Sequence, residues 1–402
     1  MTSLNFTDEQ NLFRKSTRGF LEREILPTVE YYDKAEVFPT ANIEKIARQG
    51  FMGINMPREY GGAGYGEVEY GIMIEEFGWV CSAHGTIVGA HLGLACTPIW
   101  LFGTEEQRMK YITSLSRGEK LGAFALTEPA AGSDAANIRT AAERRGNKFV
   151  LNGSKIFCTN GDRADVIVVF AANDTTLGPA GGITAFIVEK GFAGFSIGRV
   201  EKKMGIRAST TAELVFENCI VPQENVLGEL GAGFRVALTT LDGGRIGLAA
   251  GALGAAEKTL ETMVSFVKKQ KAIGDPLADK QSVQWMIADS AMDIHAARLV
   301  VYESLLELDE YFKLIVKGGR VPENFRARVS RNSAIVKTYV SEIASRIMDR
   351  SMDIHGELGL IEGYGIERVY RDSFIAEIYE GTNEIQRMVI ARNILESMDS
   401  NR

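Results

Sequence analysis

The spacing of apolar residues divides the chain into three stretches, and the first has a helical pattern. In residues 1–120, apolar side chains recur at helical spacing, as at Phe13 and Phe20. Threonine followed three residues later by glutamine, the pattern of a capping box, occurs at Thr7–Gln10 and again at Thr104–Gln107. We therefore predict an N-terminal α-helical domain over residues 1–120.

Residues 121–231 have the pattern of β-strands. β-branched apolar runs at Asp165–Phe170, Ile183–Val188 and Leu214–Val221 are separated by glycine-rich turns. The dipeptide at Asn152–Gly153 predicts a hairpin turn between two further strands. Because no helical pattern intervenes to build βαβ units, we predict a central domain that is an antiparallel sheet or β-barrel.

The last stretch, residues 232–402, returns to a helical pattern. The predicted helices are long and cover residues 233–270, 280–317, 323–355 and 382–398. Helices of this length suit an up-down arrangement. The predicted fold class is therefore multidomain α and β: an N-terminal α-helical domain, a central antiparallel β-barrel domain and a C-terminal four-helix bundle.

Composition and charge narrow the function classes. The chain of 402 residues carries a formal net charge of −7 at pH 7, which disfavours nucleic acid as a partner. Its four cysteines form no CxxC pair, no secretory signal is visible, and no apolar run reaches the ~18 residues of a membrane span. We therefore expect a cytoplasmic protein with reduced thiols and no membrane insertion. The excess of glycine, 42 residues against 9 prolines, indicates close approach of the backbone to itself or to a ligand.

Several common catalytic motifs are absent or lack their structural context. Residues 194–198 match the G-x-S-x-G nucleophile motif around Ser196, but strand patterns lie on both sides of it. Neither G-x-G-x-x-G after a strand nor a P-loop occurs. The four histidines lack metal-ligand spacing, so no metal site is predicted.

Three segments carry candidate chemistry, and each also has an ordinary interpretation. Phe124–Asp134 combines hydroxyls, small residues and a glycine, which suits close wrapping of a planar ring or phosphate but also suits a turn. Asn152–Gly161 could flank a flavin or form a plain hairpin. In Tyr379–Gln386, Glu380 stands just before the last helix, where burial would raise its pKa towards that of a general base. The alternative there is an exposed loop glutamate.

In combination, these segments match a known family. The shared motifs are Pro-x-Glu-Tyr-Gly-Gly-x-Gly at 57–64, Thr-Glu-Pro-x-x-Gly-Ser-Asp at 127–134, Met-Gly-Ile-Arg-x-Ser-Thr at 204–210, Leu-Asp-Gly-Gly-Arg at 241–245 and Tyr-Glu-Gly-Thr at 379–382. With these motifs in this order and at these separations, the chain resembles the acyl-CoA dehydrogenase family over essentially its whole length.

The resemblance implies an FAD-dependent oxidoreductase of the short- or medium-chain type that converts an acyl-CoA thioester to the trans-2-enoyl-CoA. Glu380 would remove the α-proton while a hydride passes from the β-carbon to flavin N5. Gly244 occupies the position at which some members place their carboxylate, so Glu380 has no competitor. The resemblance also implies a homotetramer or dimer, electron-transfer flavoprotein as electron acceptor, and the mitochondrial matrix as location if the chain is a mature eukaryotic form.

The site residues follow from the resemblance position by position. The residues that contact the flavin would be Phe124, Leu126, Thr127, Gly132, Ser133, Phe157, Thr159, Gln270, Gln281, Asp353, Gly356, Thr382 and Glu384. The residues that bind the acyl-CoA would be Ser133, Asp242, Arg245, Tyr379 and Gly381.

Two departures from the family pattern bear on the cofactor. Gln270 stands where an arginine often contacts the FAD pyrophosphate of a neighbouring subunit, and Gly356 is not followed by a second glycine. A lysine near Gln270 would not replace the bidentate fork of arginine. We therefore predict that FAD binds more weakly than is typical.

The acyl group and the activity have alternatives. Gly85, Gly89 and Gly93 share a helical face that either widens the acyl cavity or lets another helix pack closely. The absence of Arg and Lys between Trp79 and Gln107 disfavours a dicarboxylyl substrate. For the activity, the alternatives are an acyl-CoA oxidase that uses O2 and a non-catalytic flavin- or CoA-binding protein.

Overall fold

The N-terminal part of the chain folds into helices, as its apolar spacing predicts. The computed structural model describes residues 6–272 and 274–399. The N-terminal helices are α1 (Asp8–Glu24), α2 (Val29–Ala35), α3 (Thr40–Arg48), α4 (Glu67–Val80), α5 (Ser82–Gly89), α6 (Thr97–Phe102), α7 (Glu105–Gln107) and α8 (Thr113–Ser116). The predicted capping box before α1 is present, because the Thr7 hydroxyl accepts a hydrogen bond from the Gln10 N–H at 3.1 Å and the Gln10 side chain accepts one from the Thr7 N–H at 3.0 Å.

Ser82–Phe102 is one continuous helix, in which π-helical turns join α5 to α6. By length and composition it could cross a membrane, contrary to the expectation from the sequence, but most of it is buried inside the protein. A Cβ on Gly93 would lie 3.2 Å from the Tyr70 hydroxyl of α4, and one on Gly85 would lie 3.3 Å from Phe77 Cβ. The glycine face therefore lets α4 pack closely against this core helix.

The central part is a mostly antiparallel sheet. Its elements are β1 (Gly122–Ala125), β2 (Ala141–Arg145), β3 (Lys148–Thr159), β4 (Val166–Ala172), the single turn α9 (Pro179–Gly182), β5 (Ile183–Glu189), β6 (Phe195–Val200), β7 (Thr211–Pro222) and β8 (Val226–Leu227). The strands lie in the order β6-β7-β3-β2-β4-β5-β8, and β1 pairs with β4. The pairings β1–β4 and β2–β4 are parallel, whereas β3 pairs antiparallel with both β2 and β7.

The predicted hairpin turn at Asn152–Gly153 is wrong. β3 runs through both residues, and the chain instead reverses between β2 and β3 at Gly146–Asn147. Gly146 supplies the positive φ, 65°, that this two-residue turn needs. A Cβ on Gly153 would lie 2.7 Å from the Cα of Thr140. Glycine is therefore required at 153 for close backbone approach rather than for a turn.

The sheet separates two hydrophobic cores. Val168 and Phe170 of β4 belong to the main core, which the sheet shares with the helices, whereas Ile167 and Val169 on the opposite face belong to a smaller core within the sheet domain. This alternation is the period-two pattern of a strand that is buried on both faces. Ser196 lies within β6, which leads to β7 and not to a helix, so the nucleophile motif lacks its structural context.

The C-terminal part is a bundle of long helices, as predicted. Its elements are α10 (Gly233–Val267), β9 (Lys271–Ala272), β10 (Asp275–Pro276), α11 (Gln281–Val316), α12 (Glu323–His355), α13 (Ile366–Ser373) and α14 (Asn383–Asp399). Helix α10 crosses α4 in backbone contact, since a Cβ on Gly78 would overlap the carbonyl of Gly251. The bundle completes the predicted order of helical, sheet and helical domains.

Candidate active site

A cavity of about 1050 Å³ lies where the helical and sheet domains meet. Its walls come from α4, α5, α10, the segments that flank β1 and end β3, and the loop before α14. The predicted site residues that line it are Phe124, Leu126, Thr127, Gly132, Ser133, Phe157, Thr159, Arg245, Tyr379, Glu380, Gly381 and Thr382. The fold thus brings the three candidate segments of the sequence to one place.

Glu380 is the titratable group at the centre of this arrangement. Its backbone has a φ of 58°, a left-handed conformation that is uncommon outside glycine. Its Oε2 is buried and has no hydrogen-bond partner among the residues that the structure describes. Burial raises the pKa of Glu380 to about 7, against the opposing effects of Arg245 and Lys337. Such a carboxyl can exchange a proton near neutrality.

The backbone of Glu380 is held by α10 and α14. Arg245 Nε donates to the Glu380 carbonyl at 3.1 Å, and the Gln386 side chain donates to the Gly381 carbonyl at 3.1 Å. Arg245 is fixed in turn by Asp242, which accepts from its Nη1 at 2.9 Å. Asp242 itself is buried and does not line the cavity, so it reaches the site through Arg245.

Gly244 leaves the space that the Glu380 carboxyl occupies. A Cβ at this position would overlap Glu380 Oε2 and would lie 2.8 Å from Leu94 Cδ2. Any side chain on α10 at this point would therefore displace the glutamate or the leucine. The glycine that the sequence identified as an empty catalytic position is the direct neighbour of the carboxyl.

Comparison with known protein families accounts for nearly all of the chain. Residues 7–119, 123–219 and 231–395 match the N-terminal, middle and C-terminal domains of acyl-CoA dehydrogenase, respectively. The chain belongs to the acyl-CoA dehydrogenase family. It is an oxidoreductase, and its activity is the FAD-dependent dehydrogenation of an acyl-CoA.

Individual family members are similar over nearly the whole of this chain. The short-chain specific acyl-CoA dehydrogenase of Clostridium acetobutylicum is 44% identical over 97% of this chain and 99% of its own length. A chain solved in work on the electron transferring flavoprotein of Acidaminococcus fermentans is 42% identical, with a TM-score of 0.91 over 98% of this chain and all of that one. An acyl-CoA dehydrogenase from Bacillus anthracis, solved in complex with FAD, is 36% identical, with a TM-score of 0.92 over all of this chain and 69% of that one.

The cavity fits the cofactor of the family. Phe124 and Leu126 offer apolar surfaces, and the side chains of Thr127 and Thr159 add hydroxyls beside them. A Cβ on Gly132 would meet nothing within 4 Å, so the backbone borders open space there. An apolar lining with a few polar groups is what a planar cofactor ring requires. The cofactor of this acyl-CoA dehydrogenase is FAD.

A buried ion pair that the sequence did not reveal connects the two segments predicted to contact the flavin, Phe124–Asp134 and Asn152–Gly161. Lys155 Nζ lies 2.6 Å from Glu128 Oε1 and donates to the Leu126 carbonyl at 3.0 Å. Glu128 also accepts from the backbone N–H groups of Arg139, at 2.6 Å, and Thr140, at 3.0 Å. The pair therefore fixes the segment that precedes Gly132 against β3. A lysine inside an otherwise strand-like run was the signal for it.

The remaining predicted cofactor residues do not line this cavity. Gln270 and Gln281 flank the connection from α10 to α11, and Asp353 and Gly356 lie at the end of α12; all are exposed. The rings of Phe266 and His355, 4.2 Å apart, join these two places at one end of the bundle. Glu384 is exposed on the first turn of α14. The single chain thus presents these residues on its surface.

Lys337 is a second charged group that the sequence analysis missed. It lies on α12, is fully buried, and its Nζ donates to Asn383 Oδ1 at 2.7 Å. Asn383 is the first residue of α14, three positions after Glu380. The only signal in the sequence was a lysine directly after the apolar run Ala334–Val336.

Proposed function

We propose that Glu380 is the base that removes the α-proton of the acyl-CoA thioester. The observation that carries this proposal is that Glu380 lines the cavity and that its buried Oε2, among the described residues, accepts no hydrogen bond. A general base works best when its pKa lies near the operating pH. The pKa of about 7 meets that condition.

The other residues of the site would orient and shield this reaction. Arg245 and Gln386 hold the backbone of the loop, so that the carboxyl stays at the cavity wall. Apolar lining residues such as Leu94 and Leu248 exclude water, which strengthens electrostatic interactions inside. We propose that the Glu380 N–H donates to the thioester carbonyl and stabilises its developing negative charge. Bound FAD would supply the acceptor for the hydride that leaves the β-carbon.

The roles of the predicted residues divide between two places. The flavin of the same chain would contact Phe124, Leu126, Thr127, Gly132, Ser133, Phe157, Thr159 and Thr382 in the cavity. Glu384, which lies outside the cavity on the first turn of α14, stays a predicted flavin contact. Ser133, Arg245, Tyr379 and Gly381 would bind the acyl-CoA, and Asp242 would act by holding Arg245. The exposed Gln270, Gln281, Asp353 and Gly356 would contact the FAD of a neighbouring subunit, and Gln270 in place of arginine would weaken that contact.

We propose that the chain assembles into a homotetramer, or at least a dimer. Helix α11 carries an exposed apolar stripe at seven-residue intervals, formed by Trp285, Met292, Leu299 and Leu306, each between 40% and 63% exposed. A seven-residue apolar repeat is the pattern by which helices pair along their length. A partner subunit on this surface would bury it.

We propose a short acyl chain as substrate. The Tyr70 hydroxyl lies in the cavity wall, 2.6 Å from the position of a Cβ on Gly247, one helical turn beyond Gly244. The tyrosine therefore narrows the cavity close to Glu380. The short-chain specificity of the Clostridium relative supports the same substrate class.

The electron acceptor, the location and the domain limits complete the proposal. The likeness to a chain studied with an electron transferring flavoprotein supports that protein as electron acceptor. We place the enzyme in the cytoplasm, or in the mitochondrial matrix for a eukaryotic form. The domains would span residues 1–120, 121–231 and 232–402, and the matched middle and C-terminal family domains begin close to the second and third of these, at residues 123 and 231.

The test is an anaerobic titration of the FAD-loaded protein with butyryl-CoA, followed by flavin absorbance. The wild type should lose its flavin absorbance. Glu380→Gln should retain FAD and bind butyryl-CoA, yet keep its absorbance, because the amide cannot accept the α-proton. Bleaching by the variant would show that the base is another residue.

A further inference from the structure

Lys337 carries a buried charge that the proposed mechanism does not use. We infer that Lys337 is a positioning residue whose positive charge acts on Glu380 and favours its ionised form. The inference rests on the proposed function, because it assumes that Glu380 is the base.

The contacts of Lys337 set it apart from an ordinary buried lysine. Its Nζ donates to the neutral amide of Asn383, and no carboxylate lies within ion-pair distance of it in residues 6–272 and 274–399. Lys155, the other fully buried lysine, forms an ion pair with Glu128. A buried charge is costly unless it is paired. The charge of Lys337, which no ion pair neutralises in the described residues, can therefore act on the carboxyl of Glu380.

None of the charged groups around the loop forms an ion pair with Lys337 in the part of the chain that the structure describes. Arg245 also favours the ionised form of Glu380, but Asp242 balances its charge at 2.9 Å. Glu377 and Glu384 are the further acidic groups that act on Lys337, and Glu384 is exposed, so solvent screens its effect. Burial raises the pKa of Tyr70 and of Tyr379 well above neutrality, so both hydroxyls are uncharged.

The direction of the effect follows from the charges. Burial lowers the pKa of Lys337 to about 8, while Glu380 acts to raise it, so the lysine is charged at neutral pH. The cation lowers the pKa of Glu380, which burial raises. Loss of the charge would raise the pKa of the base further. More of the enzyme would then hold a protonated, inactive Glu380 at pH 7.

The experiment compares the pH dependence of flavin reduction by butyryl-CoA, in anaerobic stopped flow, for the wild type, Lys337→Met and Ser341→Ala. Ser341→Ala is the matched control, because it removes the hydrogen bond that Asn383 donates to Ser341 at 3.0 Å but changes no charge. In Lys337→Met, the limb on which the rate rises with pH should move up by about one unit, as expected for one unit charge nearby. At any one pH on the rising limb, the rate of Lys337→Met should be about tenfold lower than that of the wild type. On the plateau at high pH, the two rates should be similar.

Three results separate the possibilities. A limb that stays in place in Lys337→Met, or that moves equally in Ser341→Ala, would overturn the inference. Lys337→Arg, which keeps the charge, should leave the limb near its wild-type position, and a shift as large as that of the methionine variant would also contradict it. If Lys337→Met yields no FAD-loaded protein, the neutral Lys337→Gln takes its place in the same comparison.

The failure of this inference is distinct from that of the proposed function. If Glu380→Gln still reduces its flavin, Glu380 is not the base and the proposed function fails. If Glu380→Gln is inert and the limb of Lys337→Met does not move, only the role of Lys337 is wrong.

Discussion

Two glutamates of this protein, each under the electrostatic influence of a buried lysine, have opposite surroundings at the carboxyl group. Glu128 meets Lys155 at 2.6 Å, and two backbone N–H groups donate to its carboxylate. Glu380 and Lys337 form no ion pair with each other within the described part of the chain. Glu380 Oε2 accepts no hydrogen bond there, and Lys337 Nζ donates to the side-chain amide of Asn383.

The difference separates a structural pair from a chemical one. A buried polar network with all its hydrogen bonds made holds its segments rigid, as Glu128 and Lys155 hold the flavin segments. A buried carboxyl without such bonds keeps a raised pKa and is free to take a proton. The first arrangement favours stability, and the second sacrifices stability for reactivity.

Replacing Glu128 by glutamine should have the largest effect on stability. The substitution leaves the ammonium of Lys155 buried without its counter-ion, so the free energy of unfolding should fall by roughly 3 to 5 kcal/mol. Denaturant unfolding at pH 8 measures this loss. The double variant Glu128→Leu/Lys155→Met is the control, and it should recover much of the stability because it removes both charges. A stability of Glu128→Gln equal to that of the wild type would contradict the structural role of the pair.

The same substitution at Glu380 should act in the opposite direction. The folded pKa of Glu380, about 7, lies above its ordinary value of 4.5. The protonated Glu380 therefore contributes to the free energy of unfolding in full below about pH 4.5, and this contribution is lost as the pH rises through 7. Glutamine at position 380 does not ionise, so the variant does not lose this stability as the pH rises. At pH 8 the free energy of unfolding of Glu380→Gln should therefore be higher than that of the wild type by up to about 3 kcal/mol. At pH 4.5 the two proteins should be similar, and a variant that is less stable at pH 8 would refute the comparison.

A smaller effect, and one on rate alone, is expected from Gly244→Ala. The new methyl group would overlap Glu380 Oε2 and move the carboxyl, and a displacement of about 1 Å can cost roughly 100-fold in rate. Stopped-flow flavin reduction by butyryl-CoA measures it. Gly19→Ala on α1 is the matched control, since a Cβ there meets nothing within 4 Å, and its rate should not change. Wild-type reduction rates in Gly244→Ala would show that the carboxyl is not confined by α10.

The sequence predicted what depends on local periodicity. The long helices of the bundle and the β4, β5 and β7 strands follow from apolar spacing, and the structure has them close to their predicted limits. The predicted turn at Asn152–Gly153 was wrong because glycine is needed at 153 for another reason, the close approach of Thr140. Thr140 lies in a loop outside the local sequence pattern, so the pattern could not show this contact.

The electrostatics of the site could not be predicted in the same way. Lys155 and Glu128 are 27 residues apart, and Lys337 and Asn383 are 46 apart, so only the fold brings them together. Glu380 was found through its motif, but its missing hydrogen-bond partner and its neighbour Gly244 are facts of three-dimensional packing. The length of the apolar segment at Ser82–Phe102 was underestimated because serine, threonine, histidine and glycine interrupt it, and its burial inside the protein is a fact of the fold.

The central claim is that Glu380 is a buried carboxyl that titrates near neutrality. Infrared difference spectroscopy between the wild type and Glu380→Gln, recorded across pH, isolates the carboxyl band of this one residue. The account predicts that the band of the protonated form persists well above the ordinary pKa of 4.5 and disappears with a midpoint near pH 7. A carboxyl that is already fully ionised at pH 5 would contradict it.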